Sequence, residues 1–183
     1  MSDVAIWGAL SVLTITMSKE IFNKGSWGYG LMDGMYGFGA LISTIVVAII
    51  TKKFGRRKSL IWCYSIAGLC CFISPFSPTI YIAGIAYLLM GLHNNSARII
   101  VRTLFMEIIP NNIMGRVQTI FGVYTRVMML TSVLIAGWVT ENLNPHIGMN
   151  FASAHYLIAL IGIIVISKFS NFRKEIFKVK NHA

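Results

Sequence analysis

The chain has 183 residues, 56% of them hydrophobic and only 12% charged, with a mean hydropathy of +0.69. A soluble domain carries about 25% charged residues, so this composition excludes an ordinary water-soluble fold and points to a membrane protein. The formal net charge of +10 does not argue for nucleic acid as a partner, because the basic residues gather in short stretches between apolar runs.

The first apolar run, residues 4–17, is short. It makes about 21 Å of helix against a hydrocarbon core of about 30 Å. It either spans with local thinning of the bilayer or is the later part of a longer helix. No basic stretch precedes it and Asp3 stands there, so no cleaved signal is expected. Lys19, Glu20 and Lys24 mark a short loop.

The second span, residues 27–50, begins glycine-rich, with Gly28, Gly30, Gly34, Gly37 and Gly39. Gly30, Gly34 and Gly37 fall on one helical face, which lets another helix approach closely there. Asp33 lies beside that face. The stretch TKKFGRRK at residues 51–58 carries Lys52, Lys53, Arg56, Arg57 and Lys58 and no acid, and it reads as a loop. The third span, residues 59–76, ends at Pro75 and Pro78. It holds Cys63, Cys70 and Cys71, whose odd number and lack of metal-ligand spacing mark them as small packing residues.

The fourth span, residues 80–108, contains no helix breaker before Pro110 and extends about 43 Å. Asn94, Arg98 and Arg102 recur every fourth residue at and beyond its midpoint, forming one polar stripe with Asn95 beside it. Such groups are costly against lipid, so the stripe is expected to face other helices or a water-filled cavity. Residues 107–115 read as a tight polar turn. The fifth span, residues 116–139, carries Arg126 near its middle. A loop follows at residues 140–150, then a sixth span at residues 152–169. The tail, residues 170–183, is polar and basic, with Arg173, Lys174, Lys178 and Lys180.

The expected fold is therefore all-α, a polytopic membrane bundle of about six transmembrane helices over residues 1–170, with a basic tail at residues 171–183. Loop charges place residues 52–58, Arg116 and the tail on one side. The positive-inside rule makes that side cytoplasmic, together with the C-terminus.

Four stretches resemble the second half of a major facilitator superfamily transporter, most closely its bacterial drug and siderophore efflux branch. YGLMDGMYGFGA, residues 29–40, is similar to the glycine-rich start of that family's eighth helix. KKFGRRKSL, residues 52–60, resembles its basic loop G-x-x-x-D-R-x-G-R-R, with Ala48 in place of the leading glycine and Lys52 in place of the aspartate. IIPNNIMGRVQTIFGV, residues 108–123, resembles the V-P-x-x-x-R-G-R-V turn between helices ten and eleven, with Met114 where the first arginine usually stands. In YTRVMMLTSVLIAG, residues 124–137, Arg126 matches an arginine common in that branch, although the following Pro-Leu-Gly is absent.

The resemblance implies helices seven to twelve of a twelve-helix carrier that works by alternating access, in a bacterial inner membrane. A missing amino-terminal half or a second chain would complete it. It implies a small-molecule substrate and proton-driven efflux, and a cytoplasmic gate at Gly55, Arg56, Arg57, Gly115 and Arg116. Arg126, Arg98, Asn94, Asn95 and Asp33 are the substrate or coupling candidates. Arg126 is either an anion-binding residue of a central cavity or a structural ion-pair partner. Asn94 and Asn95 either line a substrate path or hydrogen-bond across helices. Asp33 is either a proton-coupling carboxylate or an outer gate or capping residue. No nucleophile–base pair, phosphate loop or metal-ligand set appears, so no enzyme activity and no cofactor is expected. The alternative is a truncated, non-transporting membrane protein or a helical scaffold that binds a partner.

Overall fold

A computed structural model describes residues 2–168; the basic tail expected at residues 171–183 lies outside the described residues. Helix α1 (Ser2–Thr16) runs into a π-helical turn, Met17–Ile21. It stops where Asn23 and Gly25 take left-handed conformations, with φ of 52° and 53°, which asparagine and glycine adopt most readily. Helix α2 (Gly25–Ile73) follows, then a 3₁₀ turn Ser74–Phe76, α3 (Ile80–Ile108), α4 (Asn111–Asn142) and α5 (Pro145–Lys168).

Helix α2 is two limbs, joined at Gly55, whose φ of 76° and ψ of 156° break the helix. With those limbs counted separately, the described residues form six helical rods. The stretch 51–58 expected as a loop is therefore helix on both sides of a one-residue break. Lysine and arginine are good helix formers, so charge alone does not unwind it. Ser59 Oγ lies 2.8 Å from the Gly55 carbonyl and 3.3 Å from that of Ile50, so its side chain bridges the two sides of the break.

The other connections are also shorter than expected. The turn placed at residues 107–115 is only residues 109–110, because Pro110 precedes the first turn of α4. The loop placed at residues 140–150 contracts to residues 143–144. There the Asn144 side chain accepts from the His146 amide at 3.0 Å, and Pro145 opens α5, an arrangement that favours helix initiation.

The first limb of α2 crosses α3, α1 lies along α4, and α5 packs against the second limb of α2 and against α1. Backbone meets backbone at the first of these crossings. A Cβ on Gly39 would overlap the Leu88 carbonyl oxygen, and one on Gly91 would overlap that of Tyr36. At Gly30, Gly34 and Gly37 a Cβ would meet nothing within 4 Å, so among the described residues no helix uses the close approach that this face allows. The buried face of this limb is instead Gly28, Met32, Gly39, Ser43 and Val47, roughly opposite on the helix.

Leu134 is 73% exposed and Ile45 70%, the pattern of a bundle whose outer solvent is lipid rather than water. The segments Gly25–Phe76, Asn111–Asn142 and His146–Ile166 are long and apolar enough to cross a membrane.

Candidate functional site

Consecutive helices α3 and α4 part from the turn at residues 109–110. Phe105 and Phe121 meet edge to face there, with ring centroids 4.7 Å apart. Beside them the two helices and the second limb of α2 enclose a cleft of about 610 Å³, within the range of small-molecule sites. Its polar walls are Asn95, Arg98 and Arg102 from α3, Gln118 and Thr125 from α4, and Tyr64 from α2. Among the described residues no carboxylate lines it, and the two guanidinium groups give it a positive field.

This arrangement divides the polar stripe expected on α3. Asn94 is fully buried and turns toward α2, where its amide donates to the Tyr36 hydroxyl at 2.7 Å. Asn95 keeps to the cleft side with Arg98 and Arg102, and its amide donates to Ser43 Oγ at 2.6 Å and to the Ala40 carbonyl at 3.1 Å. The cleft face is thus the series 95, 98, 102, and Asn94 belongs to the neighbouring, packed face. Arg126 is exposed and is not among the residues lining the cleft, although Gly122 and Thr125 beside it are.

Asp33 is exposed and stands apart from the arginines. It lines a second pocket, of about 170 Å³, between α1, the first limb of α2 and α3. The structure therefore brings Asn95, Arg98 and Arg102 together, and leaves Asn94, Asp33 and Arg126 in three other surroundings.

The residues expected to form a gate are split as well. Arg56, just after the break at Gly55, makes a two-pronged ion pair with Glu107 at the end of α3; one of its two hydrogen bonds is 2.9 Å. Arg57 is half-buried beside it, and Gly115 and Arg116 are exposed within α4 rather than in a loop.

Glu107, Gln118, Thr125 and Tyr64 are functional candidates that residue-by-residue reading missed. A helical wheel carries part of the signal, since Gln118, Phe121, Gly122 and Thr125 share one face. Tyr64 comes from a different helix, and only packing could find it.

The profile of the Major Facilitator Superfamily matches residues 1–175. A D-xylose transporter of Levilactobacillus brevis is 26% identical over 129 residues, which is 70% of this chain and 27% of that protein. The chain thus spans about a quarter of the length of the curated relative it matches.

Proposed function

The chain belongs to the major facilitator superfamily, and we propose that it forms one six-helix half of an alternating-access carrier for a small molecule. It is an integral membrane protein of a transporter family, and not an enzyme. The observation that carries the proposal is the polar cleft between α3 and α4, open between two consecutive helices of a lipid-facing bundle. In this reading the second half, within a longer chain or in a separate one, supplies the facing wall.

Arg98 and Arg102 favour a substrate with an anionic group. The resemblance to the efflux branch favours proton-driven export from a bacterial cytoplasm, with the basic ends of the helices inside. The gate role of Arg56 and Arg57 is part of the same reading and draws support from the ion pair to Glu107. A second reading is a neutral pentose. It draws on the D-xylose transporter relative and on the uncharged hydrogen-bonding groups of Asn95, Gln118, Thr125 and Tyr64 in the same cleft.

The test uses liposomes containing the purified chain alone, or the chain with a complementary six-helix half, and labelled citrate and D-xylose as probes. Movement of either probe only when both halves are present is the expected result. Robust transport by the chain alone as a monomer would falsify the half-carrier reading.

A further inference from the structure

The second pocket has a polarity of its own. Ser11 and Thr14 of α1, Tyr29, Asp33 and Tyr36 of α2 and Tyr87 of α3 line it. Six oxygen-bearing side chains therefore surround about 170 Å³, and among the described residues no lysine, arginine or histidine lines it.

Hydrogen bonding fixes which way two of those oxygens point their protons. Thr14 Oγ1 donates to the Leu10 carbonyl at 2.6 Å, and this uses its single proton. The Tyr87 hydroxyl, 2.9 Å from the same oxygen, must therefore be the donor in that pair. Both groups are buried, and what each has left is lone pairs. Asp33, when ionised, is also acceptor-only. The pocket thus joins a carboxylate to two hydroxyl oxygens that are held as acceptors.

The geometry points to a binding site for a small monovalent cation, held by Asp33, Thr14 and Tyr87. A single carboxylate matches one positive charge; a bare divalent ion such as calcium asks for six to eight oxygen ligands and usually several carboxylates. At about 30 Å³ per water, the pocket has room for the ion together with part of its hydration shell. Sodium and a primary ammonium group share this chemistry, and the experiment separates them.

The site also lies next to the cleft in the chain. Tyr36, on its wall, accepts from Asn94, and the adjoining Asn95 lines the arginine cleft. Use of the ion to drive transport rests on the carrier reading above; binding of the ion does not.

The test is equilibrium binding of ²²Na⁺ and, separately, of ¹⁴C-methylammonium to the purified full chain in detergent, with choline chloride holding ionic strength constant. Saturable binding of one of these labels, displaced by its unlabelled form, is expected. Asp33→Asn should abolish it, and Tyr87→Phe, which also removes the proton donor to Thr14, should weaken it by about tenfold. Arg98→Gln, in the other cavity, should leave it unchanged. Ser11→Ala, expected to weaken binding, stands in should either pocket variant fail to melt cooperatively in choline chloride. The label that binds identifies the ion. Binding of neither label, or undiminished binding in a folded Asp33→Asn protein, overturns the site whether or not the chain transports anything.

Discussion

Gly39 and Gly91 pack backbone against backbone where the first limb of α2 crosses α3, each occupying space that a Cβ would fill with the other helix's main chain. This approach is what keeps Asn94 within reach of Tyr36 and Asn95 within reach of Ser43. Main chain yields little to an added methyl group. Gly39→Ala or Gly91→Ala should therefore destabilise the protein by about 1–3 kcal/mol, the usual cost of overpacking. Gly34→Ala adds a methyl group where nothing lies within 4 Å, and should be neutral or stabilising by up to about 1 kcal/mol through helix propensity. Thermal unfolding of the three variants in detergent checks the order; equal melting of Gly34→Ala and Gly39→Ala would contradict the crossing.

The Asn94 side chain offers a second measurement. It is fully buried, its amide nitrogen bonds to Tyr36, and its Oδ1 has no hydrogen-bond partner among the described residues. Tyr36→Phe should leave the whole amide unsatisfied. Interhelical hydrogen bonds in membrane proteins contribute about 0.6 kcal/mol on average and about 1.7 at most, and the loss should fall in that range. Denaturant titration of the variant against the parent measures it.

The helices were legible in the sequence because apolar length, proline and glycine are local signals. Residues 80–108 were expected as one helix and are one. The connections were misjudged because polar residues were read as loop. Lys52, Lys53, Arg57 and Lys58 instead extend two helical limbs, and Pro145 begins a helix instead of standing in a loop. The glycine stripe is a different case. A face of small residues says that close approach is possible, but not which side the partner takes. On α3, Asn94 and Asn95 both hydrogen-bond across to α2, one of the two roles their residue type allows, and only packing shows that Asn95 also lines the cleft with Arg98 and Arg102.

Arg56 and Glu107 tie the start of the second limb of α2 to the end of α3 through two parallel hydrogen bonds. The arginine is 23% exposed and the glutamate 49%, so water screens the pair. Its contribution to stability should be about 0.5 kcal/mol, the range for exposed ion pairs. A double-mutant cycle with Arg56→Gln and Glu107→Gln, read by thermal unfolding in detergent, isolates that coupling. A second effect follows from the gate reading. Releasing the pair should change how readily a cysteine introduced at Gln118 reacts with a water-soluble maleimide, by more than the small stability change accounts for. Unchanged labelling would confine the pair to a structural role.

Arg98 and Arg126 separate two accounts of the cleft. Both lie on long helices in a mostly apolar bundle, and both are substrate or coupling candidates by sequence. Arg98 lines the cleft and Arg126 does not. If the cleft takes the anionic group of a substrate, Arg98→Gln should lower kcat/KM for an anionic probe by about tenfold or more, since a hydrogen bond to a charged group contributes about 1.5–3 kcal/mol. Arg126→Gln should have a smaller effect, because its side chain has no part in the cleft wall. With labelled D-xylose as the probe, Arg98→Gln should change little if the pentose is held by Asn95, Gln118 and Thr125. The measurement is initial-rate transport in liposomes holding the chain with a complementary half. A larger loss in Arg126→Gln than in Arg98→Gln would mean that substrate passes along the flank of α4 and not between α3 and α4.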